Sequence, residues 1–391
     1  ITFGVTEAMI KEEKTSKLDG VRTISNGEIS KDSYDIVIES GRLKSITKSI
    51  VDTGLYICPA YVDIHTHGAM GVDFSSVDQE KVDKVSQYYF SHGITHVCPT
   101  FVATPLELLE KQIDSLYSFN PSGALFLGAH IEGPYISPKK KGAQPLENMR
   151  TEFVSADLNI LDWIKDKLEI VTLCPATHNV LQLVRYLKEN GVKVQGGHDD
   201  SNDKQIRECM KEGLDGVTHI FCACSTSRRD ENFDRVLGMT ECGLSFDGLT
   251  VEVIADNKHI SQLLFEFILK CKTYRRVCLI SDSLSCAGMP NGKYKLGEED
   301  VVTDGKVCYL ADMSALAGSV TSIDQMVRNV LSYGVELEQA VYMAAESPRK
   351  YVNYYVPKFD IGEQADYNVI DENGNVLATL FGQRKNINNR S

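Results

Sequence analysis

Between residues 56 and 350, short apolar runs alternate with stretches whose apolar residues recur at helical spacing. That alternation is the signature of repeated βα units. Eight apolar runs end near His65, Pro99, Glu132, Pro175, His198, His219, Asp256 and Asp282. Helical stretches such as "SSVDQEKVDKVSQYYFSHG" and "SNDKQIRECMKEG" fill the gaps, each closing on a glycine stop. Eight such units in one run predict an α/β fold, a (β/α)8 TIM-type barrel rather than an open sheet. After the eighth run, "GKYKLGEEDVVTDGKVCYLADM" reads as a hairpin insertion. Helices follow in "SIDQMVRNVLSYG" and "ELEQAVYMAAESPRKYV".

The two ends have a different texture. Residues 1–55 alternate apolar and polar positions, with hairpin signals at Asn26-Gly27 and Ser40-Gly41. Residues 351–391 repeat that character in "ADYNVIDENGNVLATLFGQ", with Asn373-Gly374 as the turn. The expectation is a small β-sandwich domain formed by both chain termini (1–55 and 351–391) around a barrel at 56–350.

Composition narrows the class. The chain has 391 residues, 42% hydrophobic and 24% charged, enough for a large core. No apolar run approaches the ~18 residues of a membrane span. The start, "ITFGVTEAMIKEEK", lacks the basic and apolar regions of a signal peptide. A formal net charge of −13 argues against nucleic acid or an anionic membrane as partner, while leaving room for a small anionic ligand. The 11 cysteines are odd in number and mostly in apolar settings, as in a reduced, cytoplasmic protein. Cys58, Cys98, Cys174 and Cys278 read as core residues.

In a barrel, chemistry sits at the C-terminal ends of the strands. Here those ends offer His65 and His67, Glu132, His198, His219 and Asp282. His65 and His67 are two apart, so on a strand they share a face. Alone, the pair is as well explained by hydrogen-bonded rim residues as by metal ligands. Five strands each ending in a ligand type favour the metal reading. Histidines with carboxylates suit Zn, Fe, Co, Ni or Mn better than Ca or Mg. Such a metal brings the pKa of a bound water to about 7. Asp282 could take that proton and pass it to a leaving group. The joint expectation is metal-assisted hydrolysis of a carbonyl compound.

The motifs "PAYVDIHTHGAMGVDF", "HIEGPYISPKKKGA", "GGHDDS", "VTHIF", "IADNKH", "LISDSLSCAG" and "LAGS" stand in an order that resembles one family. It is the N-acetylglucosamine-6-phosphate deacetylase family of the amidohydrolase superfamily. The resemblance spans essentially the whole chain. It implies a homodimer that binds a phosphorylated N-acetyl amino sugar and one or two divalent transition metals per subunit, Zn or Fe. Glu132, His198 and His219 match the metal site that members keep. His65 and His67 match an H-x-H that some retain for a second metal. Asp282 matches the catalytic aspartate. His259 matches a sugar-contacting histidine and Ala223 a backbone donor to phosphate. Arg228 or Arg229 falls near an arginine reaching phosphate across a dimer, with Arg229 the choice here. Leu316 to Gly318 lies in a loop near the substrate.

Departures cluster at positions the resemblance assigns to substrate. Gln144 stands for the histidine of "KKGAHP", Cys222 for the asparagine of "THLFNAM", and Asn257 for the glycine of "ADGxH". None is a metal ligand. Hydrolysis is therefore expected to persist, with another N-acyl hexosamine phosphate, such as the galactosamine epimer, as alternative substrate. A non-catalytic binding protein is disfavoured, because no ligand or acid has been lost. Lys139-Lys140-Lys141 reads equally as a solvated loop or as an attractor for phosphate.

Overall fold

A computed structural model describes residues 15–75 and 79–388. The first fourteen residues of the N-terminal β expectation, and 76–78 of the first helical stretch, lie outside the described residues. Eight parallel strands follow one another in order: β1 Tyr61–Thr66, β2 Ile94–Phe101, β3 Ala129–Glu132, β4 Leu168–Leu173, β5 Lys193–Gly196, β6 Leu214–Val217, β7 Thr250–Val253 and β8 Val277–Leu279. Each pairs with the next, from Tyr61↔Ile94 in β1/β2 to Val253↔Leu279 in β7/β8. Just past β8 the ring closes on β1. Asp282 N–H donates to His65 O at 2.9 Å, and His67 N–H donates to Ser283 O at 2.8 Å. The expected barrel is the observed one.

Its strands are almost wholly buried, which is why they read as near-continuous apolar runs. The outer helices bury one stripe. In Val180–Glu189, Val180, Leu183, Val184 and Leu187 face inward, the i, i+3, i+4, i+7 pattern. The predicted glycine stops after Gln79–Ser91 and Asp203–Glu212 are Gly93 and Gly213, both at positive φ, where a side chain would be strained.

Strands from both ends share one further sheet. Tyr56–Pro59 pairs in parallel with Thr15–Ser25 and antiparallel with Asp366–Ile370, so it stitches the two termini together. The shared strand Thr15–Ser25 is irregular between Leu18 and Val21. Leu18, Ile36, Ile38 and Leu43 from one wing join Ile57, Tyr367, Val369 and Leu380 from the other in a single apolar cluster. Asn26-Gly27 and Ser40-Gly41 form the expected two-residue hairpin turns, all four residues at positive φ. This sheet meets the barrel at the N-terminal ends of β1 and β2. There the fully buried Arg349 pairs with Asp366 at 2.8 Å and donates to Ala60 O and Thr95 Oγ1.

One element is larger than expected. The insertion after β8 is a three-stranded sheet, Gly292–Leu296, Glu299–Thr303 and Cys308–Leu310. A second turn, closed by Asp304 N–H to Val307 O, returns "VCYL" onto the hairpin. The added strand buries Cys308 and Leu310 against Val301 and Leu284.

Candidate active site

The strand ends bring all six candidate ligands to one rim. Glu132 sits among them. Its Oε1 lies 3.0 Å from His198 Nε2 and 2.8 Å from His219 Nε2. Its Oε2 lies 3.3 Å from His67 Nε2 and 3.8 Å from His65 Nε2. Asp282 Oδ1 is 3.3 Å from His67 Nε2 and 3.4 Å from His65 Nε2. His198, His219 and Asp282 each carry positive φ, at 44°, 26° and 44°. Strain of this kind in non-glycine residues persists only where the surroundings over-determine it, and it concentrates at functional sites. It marks where the chain leaves its strand sharply as the side chain reaches the rim.

Three of the four histidines are held at the second ring nitrogen. His198 Nδ1 donates to Lys140 O at 2.8 Å, and His219 Nδ1 to Cys222 O at 3.2 Å. His65 Nδ1 faces Glu252 Oε2 at 3.0 Å. Each partner fixes the tautomer that leaves Nε2 free as a ligand, the arrangement metal sites use. His65 Nε2 is buried with no hydrogen-bond partner. An orphaned buried nitrogen aimed between two carboxylates fits a cation. Ligand atoms of His65, His67 and Asp282 lie within 4.8 Å of one another, as do those of His65, Glu132 and His219.

The electrostatics agree. Burial works against charge on His67, but Asp282 and Glu132 outweigh it and raise its pKa to about 10. His219 is raised to about 9 in the same way, chiefly by Glu132 against the cost of burial. Burial also opposes the Asp282 carboxylate, yet His65, His67 and His219 hold it at about 2. The two carboxylates thus draw positive charge into a dry site, and without a metal protons on the histidines supply it.

A cavity of about 510 Å³ opens over these residues. Gln144, Cys222, Ala223, His259, Leu316 and Gly318 all line it, as does the whole Lys139–Lys141 run. The lysines are not simply solvated. Lys139 pairs with Asp200 at 2.7 Å, and Lys140 Nζ donates to Cys224 O at 3.1 Å. His259 is oriented by Asp256, Nδ1 to Oδ2 at 2.8 Å. The loop carrying Leu316 and Gly318 is tied to the segment just past β8, since Ser319 N–H donates to Asp282 O at 2.8 Å.

Three expectations change in detail. Gln144 reaches the cavity, but its polar atoms are also committed inward. Oε1 accepts Ala103 N–H at 2.7 Å and Nε2 donates to Glu132 Oε2 at 2.5 Å. Asn257 does not line the cavity. It takes φ of 65°, a left-handed conformation that asparagine tolerates better than most residues, and its side chain accepts from Tyr333 Oη. The change from glycine there preserves the backbone. Arg229 lies on the exposed hairpin Arg228–Val236, away from the cavity of its own chain, and donates to Phe233 O. Arg228 is folded back onto Asp200 O and Ser201 O.

Sequence reading missed the layer beneath the ligands. Glu252, in the middle of β7, is 1% exposed and touches His65, Gln195 and the His219 amide. Asp63, in β1, accepts from His65 N–H and from Ser281 N–H at β8. Burial pushes Asp63 up to about 7 against the pull of those donors. The available signal was a single charge inside each otherwise apolar run, "TVEV" and "YVDI".

Comparison with known proteins follows the same lines. Residues 56–389 match the amidohydrolase family. The N-acetylgalactosamine-6-phosphate deacetylase of Escherichia coli O157:H7 is 34% identical over 299 residues, 75% of this chain and 77% of that protein. The human N-acetylglucosamine-6-phosphate deacetylase is 30% identical over 341 residues, 84% of this chain and 82% of its own. The solved structure of N-acetylglucosamine-6-phosphate deacetylase from Thermotoga maritima superposes with a TM-score of 0.83 at 26% identity, covering 94% of this chain and 99% of that one. With its barrel, its strand-end histidines and carboxylates and these relatives in agreement, the chain belongs to the amidohydrolase family, in the branch of the N-acetylglucosamine-6-phosphate deacetylases.

Proposed function

We propose that this chain is a metal-dependent deacetylase that hydrolyses the acetamide of N-acetylglucosamine 6-phosphate, releasing acetate and glucosamine 6-phosphate. The observation that carries the reading is the convergence of Glu132, His198, His219, His65, His67 and Asp282 on one buried rim beneath a cavity with lysines along its wall. Glu132, His198 and His219 would hold one metal, and His65 and His67 with Glu132 a second; Glu132 Oε1 faces His198 and His219, and its Oε2 faces His67 and His65. Zinc or iron suits this nitrogen and oxygen set. Bound there, such a metal supplies Lewis acidity and a water of lowered pKa.

The chain's own residues do the rest. Asp282, ionised and within 3.4 Å of His65 and His67, takes a proton at Oδ1 and returns it to the departing amine nitrogen. His259, fixed by Asp256, meets the sugar. The Ala223 amide and the lysine run receive the phosphate, and Cys222 and Gln144 shape the neighbouring wall. Leu316 and Gly318 close the side beside Asp282. Arg229, exposed on its hairpin, would serve a partner subunit in a homodimer. The terminal strands as one small domain are part of this reading, with Tyr56–Pro59 belonging to their sheet and the barrel starting at Tyr61. So is a reducing, cytoplasmic location, in keeping with eleven free cysteines.

A second reading is the galactosamine epimer as substrate. It is favoured by the 34% identical relative and by Gln144, which can donate a hydrogen bond but carries no charge. Acetate release from both N-acetylhexosamine 6-phosphates, and from unphosphorylated N-acetylglucosamine, decides among these. The assay uses metal-free protein reloaded with zinc or iron. Turnover confined to phosphorylated sugars is expected. No acetate from either phosphorylated epimer with either metal would sink the proposal.

A further inference from the structure

We infer that Glu252, buried at mid-strand in β7, is the positioning residue that makes His65 a metal ligand, and thereby decides whether the second metal is held. The inference rests on the reading above that His65 holds that metal.

An imidazole binds a metal through one nitrogen only if the other carries the proton, and something must fix which is which. For His198 and His219 the acceptor is a backbone carbonyl. No carbonyl serves His65. Its Nδ1 faces Glu252 Oε2 at 3.0 Å, and a carboxylate accepts but never donates when ionised. When a metal takes Nε2, the ring's one remaining proton is therefore held on Nδ1. That Nε2 is buried and has no hydrogen-bond partner among the described residues.

Glu252 is itself locked. Gln195 Nε2 donates to its Oε1 at 2.8 Å, and the His219 amide reaches its Oε2 at 3.3 Å. Thr218 Oγ1 donates to Gln195 Oε1 at 2.7 Å, which turns the Gln195 amide nitrogen toward Glu252. The carboxylate thus ties a ligand of the second metal to the backbone of His219, a ligand of the first. Glu252 belongs to none of the motifs that carry the family resemblance, and it is too deep to touch substrate, at 1% exposure and absent from the cavity wall.

The test reads metal content rather than activity. Wild type, His65→Asn, Glu252→Leu and Glu252→Gln are stripped of metal, reloaded with zinc, and measured by elemental analysis with a zinc titration. Wild type is expected to hold two zinc ions per subunit. His65→Asn and Glu252→Leu are each expected to hold one. Glu252→Gln keeps an acceptor, with the Gln195 amide turning over to match, so it should hold two, the second bound about 10–100-fold more weakly. His65→Asn retaining two overturns the reading of His65 and this inference with it. One zinc in His65→Asn but two, at wild-type affinity, in Glu252→Leu overturns the inference alone. Should Glu252→Leu fail to fold, Glu252→Gln decides: an unchanged second affinity refutes, and a 10–100-fold loss supports.

Discussion

Replacing Gln144 by leucine removes two bonds at one point of the active site. Gln144 is 3% exposed. Its Oε1 takes the Ala103 N–H at 2.7 Å and its Nε2 holds Glu132 Oε2 at 2.5 Å. Leucine has similar bulk, so packing changes little, but Ala103 N–H loses its acceptor and the Glu132 carboxylate loses a donor. A stranded buried N–H costs about 1–3 kcal/mol, and a hydrogen bond to a charged group contributes about 1.5–3 kcal/mol. The metal-free protein should lose about 3–5 kcal/mol in all, read as the unfolding free energy in a urea titration. Activity provides a second reading. If the amide chiefly fixes Glu132, kcat falls and KM changes little; a group that chiefly binds substrate would raise KM instead. A stability loss under about 1 kcal/mol, the worth of an ordinary hydrogen bond, would refute the bonding argument. A pure KM effect would refute the positioning role.

Three further outcomes follow from the same coordinates. Asp282→Asn should lower kcat by about 10²–10⁴-fold while elemental analysis finds the metal content nearly unchanged; full activity would remove its proton-transfer role. Arg349→Met takes the guanidinium from the buried Asp366, leaving it only the Thr95 hydroxyl at 2.7 Å and His96 Nδ1 at 3.7 Å, so thermal melting should show a loss of about 3–5 kcal/mol while kcat holds; an unchanged melt would mean the pair does not anchor the terminal sheet. His67 and His219 titrate near 10 and 9 without metal, above their ordinary 6.5, so binding must expel their protons. Apparent metal affinity should therefore rise with pH from 6.5 to about 9, with proton release visible in calorimetry across buffers of different ionisation heat. The metal-free fold should move the opposite way over that window, because raised histidine pKa values stabilise it below 6.5 and that contribution fades as pH climbs through them. Affinity flat over the range would contradict the charge balance drawn here.

Much of the fold is legible in the amino-acid sequence. Strands of a parallel barrel are buried on both faces, so each appears as an apolar run, and the residue that ends the run lands on the rim. That is why His65, Glu132, His198, His219 and Asp282 could be picked out by position alone. Asn26-Gly27 and Ser40-Gly41 announced their turns because few residue pairs tolerate two positive φ values in succession. What the sequence could not carry is partnership across the ring. Glu252 and Asp63 look like lone charges in apolar strands until β7 and β1 bring His65 to them. Gln144 reads as a changed substrate contact until Ala103, 41 residues earlier, claims its oxygen and turns its nitrogen onto Glu132. Asn257 reads as a lost glycine until its backbone is seen to be left-handed all the same. Residue type and local periodicity determined the barrel and the histidines and carboxylates at its strand ends, because both depend on neighbours along the chain. Ring orientation, amide direction and the pairing of the two termini were decided only by the tertiary structure, because each needs a donor and an acceptor that the sequence holds far apart.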